Sequence, residues 1–405
     1  MPADSTLLLV LLFVAAAAAG WFSARLTATG TGDQRKAENL SSDYFEGLNF
    51  LLNEQPDKAL EVFVRMVDVD SDTIETHFAL GNLFRRRGEV YRAIRIHQNI
   101  VDRPELPRAQ RDQALRALAD DYLKAGLLDR AEDLLQQLAD GSSTHQAEAL
   151  GRLVSIYEQE RDWDKAIVTR DRLAALSPEG RSPIVAHYCC ELAEEALRRE
   201  DIDAARQALR HARSADKGCI RGLLLRARLA GEEGDHRLAA RLYTRVLKSD
   251  GVFAPLVLPA LRRAYVAMGD EAGFARFVAD AVHERPELQP GVAYAAIVDG
   301  GFDDPATSAC IRNFVRQNPV LEDLLNILRP DRGDREADAE SIRRITEALR
   351  RLSDRGPSYR CENCGFSGGT LFWQCPTCKS WDTTRPVAYF RFEAVLDAHS
   401  QPDAA

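Results

Sequence analysis

From about residue 40 to residue 285, small and apolar residues of this 405-residue chain return with a period of 34. The first two units show it at four paired positions: Gly47 and Gly81, Phe50 and Phe84, Ala59 and Ala93, Phe63 and His97. Later units keep the same marks at Tyr122, Gly126, Ala131, Leu135, Tyr157, Trp163, Ala166, Ala196, Ala205, Leu209, Gly234, Ala239, Tyr243, Tyr265, Gly269 and Phe274. A period of this length predicts two-helix units that pack in register, because one unit alone cannot bury its apolar face. The fold is therefore predicted to be mainly α.

The residue types at the repeating positions suit the packing of helix pairs. Small residues such as Gly81 and Ala93 let the two helices of a unit approach each other, and Phe84 fills the space between units. The pattern resembles the tetratricopeptide repeat and predicts a superhelix of about seven units over 40–285. Prolines and glycines interrupt the pattern beyond it, so irregular capping helices are predicted for 286–330, at 306–316 and 320–328.

Stacked units of this kind present a concave surface, which is the expected place for a partner protein to bind. By analogy with tetratricopeptide geometry, the residues predicted to line this groove are Asn82, Arg85, Arg86, Asp120 and Lys124. An alternative is that Arg85, Arg86 and Arg87 form only a solvated helix end before Gly88, where cations complement the helix dipole.

Two Cys-x-x-Cys pairs near the C-terminus predict one metal site. Cys361 and Cys364 form the first pair, and Cys375 and Cys378 form the second. Four thiolates on two tight turns suit tetrahedral Zn2+, with iron as the alternative, and four protein ligands leave no open position for catalysis. Unrelated free thiols or a disulfide are the remaining interpretations.

A charged segment separates the repeats from this metal knuckle. Residues 331–340 are predicted to be a linker, and 341–356 a helix with an apolar stripe at Ile342, Ile345, Leu349 and Leu352. The stripe is expected to pack on the last repeats or on the knuckle, which spans 357–386 and precedes a tail at 387–405. Tyr359, Phe366, Phe372, Trp373 and Trp381 are interpreted as the core of the knuckle, because so small a unit needs rings as well as metal to fold. The knuckle itself is predicted to dock on the repeats or on a partner.

The N-terminus carries a candidate membrane span. Residues 5–24 hold no charge and as a helix would extend about 30 Å, the thickness of the hydrocarbon layer. Positive residues follow the span, at Arg25, Arg35 and Lys36 in the linker 25–39, and none precedes it. The positive-inside rule therefore predicts an uncleaved single-pass anchor with the N-terminus outside and the bulk of the chain in the cytosol. A cleaved signal peptide is the alternative.

Several function classes are disfavoured. A net charge of −9 and a pI near 5.5 argue against a nucleic-acid-binding protein, which needs a basic face. No nucleotide-binding or hydrolase motif is present, so no enzyme is predicted. Four further cysteines, Cys189, Cys190, Cys219 and Cys310, lack ligand spacing and are interpreted as core residues.

The chain as a whole resembles the lipopolysaccharide assembly protein B family, over residues 1 to about 386. The resemblance rests on SDYFEGLNFLLNEQPDKAL (42–60), LGNLFRRRGEVYRAIRIHQN (80–99), YRCENCGF (359–366) and LFWQCPTCKSW (371–381). It implies an adaptor at the bacterial inner membrane, with a rubredoxin-like knuckle whose metal ligands are the four paired cysteines. The implied partners are a membrane AAA+ protease, the deacetylase that commits precursors to lipid A, and other inner-membrane proteins of lipopolysaccharide assembly or regulation. The adaptor would promote proteolysis of the deacetylase.

Two other functions stay open at this point. Cys-x-x-Cys-Gly with Cys-Pro-x-Cys also resembles the iron site of rubredoxin, which favours electron transfer. A zinc ribbon can also bind RNA, although the acidic balance of the chain disfavours this.

Overall fold

The computed structural model describes residues 74–141, 144–176, 182–299, 305–318, 321–323, 335–352 and 358–387, with residues 21, 45–47, 49–50, 53, 55, 58–59 and 61–62 before them. The predicted span 5–24, the linker 25–39 and the tail 387–405 lie outside these ranges, apart from Trp21 and Val387. Within the described residues, no helix is both long enough and apolar enough to cross a bilayer. The chain forms two compact units, Met1–Asp162 and Trp163–Ala405.

The described chain between residues 74 and 284 consists of helices that follow one another as the first and second helices of the predicted units. In chain order they are α1 (Ile74–Arg86) and α2 (Val90–Val101), α3 (Arg108–Ala125) and α4 (Leu128–Asp140), α5 (Gln146–Glu160) and α6 (Trp163–Ala175), α7 (Ile184–Arg198) and α8 (Ile202–Ala215), α9 (Ile220–Glu232) and α10 (His236–Ser249), and α11 (Ala254–Ala267) and α12 (Glu271–Glu284). The boundary between the two compact units falls between α5 and α6. Ala59, Phe84 and Ala93 of the first two repeats lie in one buried cluster. The predicted packing of small and large residues is thus confirmed there.

The turn inside each pair has the same backbone conformation. Within two residues of the end of each first helix, one residue has positive φ: Gly88 (82°), Gly126 (75°), Arg161 (60°), Glu200 (60°), Gly234 (84°) and Gly269 (73°). Four of the six are glycine because a residue without Cβ takes this conformation at little cost. In three pairs the aspartate that follows caps the second helix, since Asp201, Asp235 and Asp270 accept from the amides of Ala204, Leu238 and Gly273 at 3.0, 3.0 and 2.9 Å.

A buried polar contact joins the first three helices. His97 on α2 is fully buried, and its Nδ1 lies 2.5 Å from Oδ2 of Asp121 on α3. Arg85 on α1 donates to the other carboxylate oxygen of Asp121 at 2.9 Å. The carboxylate of Asp121, which is itself fully buried, therefore has partners on both oxygens, as a charged group in an apolar interior requires.

The described part of the capping region contains a helix that was not predicted, whereas the predicted helix at 320–328 lies outside the described residues apart from 321–323. The helix α14 (Pro305–Gln317) matches the predicted helix at 306–316, but α13 (Gln289–Asp299) is a helix that the sequence analysis missed. Seven consecutive residues of α13, from Gly291 to Ile297, are buried, so the segment has no polar face from which a helical period can be recognised. Pro290 is compatible with the helix because it lies in the first turn, where proline removes no helical hydrogen bond.

The helix before the knuckle begins earlier and ends earlier than predicted. The sequence predicts a helix over 341–356, whereas α15 runs from Arg335 to Leu352. Residues 335–340, READAE, consist mainly of Arg, Glu and Ala, which have high helix propensity. The charged residues that indicated a linker therefore also favour a helix. Ile342, Ile345 and Leu349 are buried in the large cluster at the C-terminal end of the helical array, where α15 packs mainly on α13 of the capping region. The side chain of Leu352, the fourth predicted stripe residue, lies outside the described residues.

Three short strands form the knuckle. They are β1 (Ser358–Cys361), β2 (Ser367–Gly368) and β3 (Thr384–Val387), in the antiparallel order β2-β1-β3. Tyr359 pairs with Gly368 on one side and with Pro386 on the other. The first cysteine pair begins at the end of β1, so this sheet fixes one half of the predicted metal site.

Candidate metal centre

Two similar turns present the four cysteines. In the first, the Gly365 amide donates to the Cys361 carbonyl at 2.9 Å, and in the second, the Lys379 amide donates to the Cys375 carbonyl at 2.9 Å. The residue after each pair has positive φ, 77° at Gly365 and 59° at Lys379. The side-chain amide of Asn363 donates to the Ser380 hydroxyl at 3.0 Å and ties one turn to the other. The arrangement brings both cysteine pairs to one place.

The sulfur atoms are spaced as a tetrahedral metal site requires. All four Sγ atoms lie within 4.8 Å of one another, with Cys361 3.8 Å from Cys378 and Cys364 3.6 Å from Cys375. Metal–sulfur bonds of about 2.3 Å in a regular tetrahedron put sulfurs about 3.8 Å apart. The residues present therefore fit Zn2+ or iron, and the ligand set by itself does not distinguish the two metals. In the described part of the chain, no other group of three or more His, Cys, Asp or Glu side chains is this close.

Hydrogen bonds around the sulfurs favour the thiolate form at two of them. The Thr383 hydroxyl, 3.3 Å from the Cys361 sulfur, lowers the pKa of Cys361, with help from the amides of Cys364 and Asn363. The side chains of Ser380 and Asn363 lower the pKa of Cys378 to about 5. The Phe366 amide lowers the pKa of Cys364, but burial and the neighbouring cysteines outweigh it and raise that pKa to about 12. A metal would displace the proton from Cys364, because thiolates are the form that binds metal.

The outer face of the knuckle packs on the repeats. Trp381 contacts Trp163, Tyr188 and His187, with ring centroids 6.0, 5.5 and 5.6 Å apart. Trp373 stacks on Phe253 at 6.0 Å and 10°. The predicted docking of the knuckle on the repeats is thus confirmed. Sequence reasoning missed that these two tryptophans form the interface instead of a core within the knuckle.

An ion pair completes the interface. Arg385 on β3 lies 3.5 Å from Asp250, and its guanidinium lies over the ring of Phe253 at 5.6 Å. Asp382 holds the same guanidinium at 3.2 Å. Both carboxylates and the ring restrain one side chain, so the orientation of the sheet on the repeats is fixed by charge as well as by apolar area.

A buried arginine of the repeats holds the helix that carries His187, one of the residues in contact with the knuckle. Arg221 on α9 pairs with Glu191 at 2.8 Å and Glu194 at 3.0 Å, both on α7. His187, one turn before Glu191, touches both tryptophans of the knuckle. Burial first, and then the charge of Arg221, lower the pKa of His187 to about 4. His187 is therefore neutral at physiological pH and presents an uncharged ring to the knuckle.

The five predicted groove residues occupy two kinds of position. Arg86 and Lys124 are exposed. Arg85 donates to Asn82 and Asp121, and Asp120 holds Arg152 at 2.6 Å, so these residues bond within the array. Arg85 is not part of a solvated helix end, because its side chain is 21% exposed. Partner binding at the five positions stays a prediction.

The four remaining cysteines are buried, as predicted. Cys189, Cys190 and Cys219 lie in one apolar cluster, and Cys310 lies in another. They take the place of small hydrophobic residues in the core.

Comparison with known proteins gives matches along most of the chain. Residues 359–386 match the family model described as the rubredoxin metal binding domain of the LapB zinc ribbon, and residues 149–183 match the tetratricopeptide repeat. Lipopolysaccharide assembly protein B of Escherichia coli strain K12 is 35% identical over 382 residues, which covers 94% of this chain and 98% of that protein. The protein of the same name from Haemophilus influenzae is 31% identical over 392 residues, with coverages of 94% and 98%. Among solved structures, MamA from Desulfovibrio magneticus is 16% identical, covers 44% of this chain and 96% of that one, and superposes with a TM-score of 0.32.

Proposed function

The chain belongs to the lipopolysaccharide assembly protein B family, and we propose that it is a non-enzymatic adaptor that regulates lipopolysaccharide synthesis. In this role it promotes proteolysis of the lipid A-committing deacetylase by a membrane AAA+ protease. The names of its relatives support the part in lipopolysaccharide assembly. The protease, the deacetylase and other inner-membrane assembly proteins are the partners that the family resemblance suggests.

The observation that carries the proposal is the docking of the metal knuckle on the repeats. A closed four-cysteine site offers no position for a substrate, so its metal would hold the knuckle folded and perform no chemistry. The folded knuckle presents Trp373 and Trp381 to His187, Tyr188 and Phe253. The knuckle and the repeats of the second unit therefore present their surfaces side by side, which suits an adaptor that binds two proteins.

A cleft at their junction is part of that surface. It has a volume of about 870 Å³ and is lined by Asp250 and Val252 from the repeats, by Glu287 from the capping region, and by Arg360, Glu362 and Arg385 from the knuckle. Val252 is 47% exposed, so the cleft combines an accessible apolar side chain with charges of both signs. An interface here could place the apolar side chain at its centre and the charges at its polar rim.

The membrane anchor is part of the proposal. Residues 5–24 would place the protein at the bacterial inner membrane as a single-pass protein, with the N-terminus in the periplasm and the repeats in the cytoplasm. This position would confine the adaptor to the plane of the membrane protease. A chain that lacks residues 1–25 should then stay soluble and fail to support turnover of the deacetylase.

A pulse–chase measurement of the deacetylase tests the function. Depletion of the adaptor should lengthen the half-life of the deacetylase and raise lipopolysaccharide. Wild-type chain should restore turnover, Cys361→Ser should not, and Cys310→Ala, which replaces a cysteine outside the metal site, should behave as wild type. An unchanged half-life after depletion would refute the proposed mechanism.

The rubredoxin match favours one alternative, electron transfer through bound iron. Cys364 is exposed and Cys378 is partly exposed, so an electron could enter at these ligands. Metal analysis and a visible spectrum of the purified protein separate the two functions. A colourless protein loaded with zinc would eliminate electron transfer, whereas a red protein with a reversible redox couple would favour it.

A further inference from the structure

A basic cleft lies between α10 and α11, away from the metal centre. Its volume is about 790 Å³, and its lining residues are Arg237, Ala240, Arg241, Thr244, Arg245, Lys248, Tyr265 and Met268. The four cations recur at intervals of four, four and three residues along α10, so they lie on one face of that helix. All four are exposed, while Tyr265 and Met268 of the α11 segment are partly buried beneath them.

No carboxylate of the described residues forms an ion pair with the cations of this face. Arg237, Arg241 and Lys248 are exposed and have no ion pair with a described carboxylate, and Arg245 donates to a backbone carbonyl, that of Lys217, at 3.0 Å. Asp270, which acts on Tyr265, is held by Arg276 at 3.7 Å. The chain carries a net charge of −9, so a row of four cations on one helix face is opposite in sign to the charge of the whole chain.

The neighbouring helices extend the positive region. Burial and the charges of Arg213 and Arg245 lower the pKa of Arg226, which lies on α9. Like charges are thus close enough to repel one another here, and an anionic ligand would relieve this repulsion.

We propose that the cleft between α10 and α11 is a docking site for an acidic peptide segment of a partner protein. The carboxylates of the segment would meet Arg237, Arg241 and Lys248, and an apolar side chain would rest on Tyr265 and Met268. From residue 237 to residue 248 the helix rises about 16 Å, which matches three turns of a bound helix or about five residues of an extended segment. This site does not depend on which pathway the adaptor serves.

The shape of the site favours a peptide over a membrane surface. Cations that bind a lipid bilayer need to protrude together with exposed apolar groups, because the bilayer is flat on the scale of one helix. Here Tyr265 and Met268 are partly buried in the cleft between two helices, and no large apolar side chain of α10 is exposed beside the cations. A free phospholipid headgroup is kept as an outcome of the test.

Fluorescence anisotropy with the full chain in mild detergent tests the proposal. The probe is a labelled peptide of about twelve residues in which Glu and Leu alternate in pairs, a length that matches the cleft when helical. The control peptide has Gln in place of each Glu. Wild-type protein should bind the acidic probe, more weakly as salt is raised, and should not bind the control.

Three substitutions locate the binding. Arg237→Gln, Arg241→Gln and Lys248→Gln together should weaken binding of the acidic probe about tenfold, because the variant loses three charge pairs with the probe. A matched control, Arg199→Gln, Arg206→Gln and Arg228→Gln, removes three exposed cations elsewhere in the repeats and should leave binding unchanged. Replacement of Arg237, Arg241 and Lys248 by Glu should make the protein prefer a probe that carries Lys in place of Glu. Binding of the basic probe would show that this variant is folded.

The opposite results would overturn the proposal. They are an acidic probe that fails to bind wild type, or one that binds the triple Gln variant as tightly as wild type. A third result, binding of short-chain phosphatidylglycerol that the triple variant loses while peptide binding is unaffected, would assign the cleft to lipid headgroups. Each of these results is separable from deacetylase turnover, because the assay contains neither protease nor deacetylase.

Discussion

Trp381 of the metal knuckle packs edge-on against Tyr188 of helix α7, with ring centroids 5.5 Å apart and ring planes at 78°. Trp381 is 9% exposed, because Trp163 and His187 cover it together with Tyr188. Aromatic pairs in this geometry contribute about 0.5–1.5 kcal/mol beyond the area that they bury. The contact makes Trp381 the residue on which the docking of the knuckle depends most.

Trp381→Ala should release the knuckle from the repeats without removing its metal. Loss of a buried tryptophan costs about 3–5 kcal/mol in a core, and here most of that cost falls on the interface. Hydrogen exchange should show faster exchange of the β3 amides, while metal analysis shows unchanged content. Phe372→Ala is the control, because Phe372 is 38% exposed and contacts Phe366 instead of the repeats. Unchanged protection of β3 in Trp381→Ala would contradict this assignment.

Removal of the metal should unfold the knuckle and leave the helices intact. Strands β1, β2 and β3 hold ten residues, too few to fold without the free energy of metal binding. A strong chelator should therefore abolish the protection of the β1 amides and expose Trp373 and Trp381 to water, which shifts tryptophan emission to the red. Far-UV circular dichroism should change little, since the helices do not depend on the metal. A metal-free protein that keeps its buried tryptophans would refute this prediction.

Gly81 is required by the ring of His97. A Cβ at position 81 would lie 2.5 Å from Nε2 of His97, which is fully buried and has no room to move. Gly81→Ala should therefore lower the free energy of unfolding by about 1–3 kcal/mol, the usual cost of overpacking. Gly151→Ala is the matched control, because no atom lies within 4 Å of its added Cβ.

In the control Gly151→Ala, the free energy of unfolding should rise instead of fall. Alanine at an open position in the middle of a helix stabilises it by about 0.5–1 kcal/mol relative to glycine. Chemical denaturation of both variants measures the two changes. If Gly81→Ala proved as stable as Gly151→Ala, the close packing of His97 on α1 would be wrong.

The docked state should weaken as the pH falls, because His187 is buried in neutral form. Its pKa is about 4 in the folded protein against an ordinary value of 6.5, so the unfolded chain binds more protons between these values. Stability therefore falls as the pH drops from about 6.5 to about 4. Arg221 and Arg385 reinforce the lowering of the pKa, while Asp216 and Glu191 oppose it.

His187→Gln should remove this part of the pH dependence. Thermal unfolding of wild type and variant at several pH values in that window gives the comparison. The difference in melting temperature between pH 7 and pH 5 should shrink in the variant, whereas an equal difference in both proteins would show that His187 does not carry it.

The sequence predicted the elements that obey a period or a ligand spacing. Tetratricopeptide pairs follow from the return of Gly81 and Ala93, and the four ligands follow from two Cys-x-x-Cys pairs. The helix α13 escaped prediction because burial on all sides erases the period, and the start of α15 at Arg335 escaped it because charge and helix propensity point in different directions.

The interface between the knuckle and the repeats could not be predicted from the sequence, for a different reason. Trp373 and Trp381 are aromatic residues in a small unit, and their composition fits an internal core as well as it fits a docking face. The partners His187, Tyr188 and Phe253 come from parts of the chain more than 100 residues away, so no local pattern connects them. The one feature of the sequence that could have indicated a docking face is that the knuckle has more aromatic residues than so small a unit can bury.

The most direct test of the account is the half-life of the deacetylase in cells whose only adaptor is Trp381→Ala. The account predicts that this variant keeps its metal and its membrane association but leaves the deacetylase as long-lived as in depleted cells, because repeats and knuckle no longer form one surface. Phe372→Ala should restore normal turnover. Normal turnover in Trp381→Ala, with the knuckle shown to be released, would contradict the claim that the docked metal knuckle is part of the adaptor.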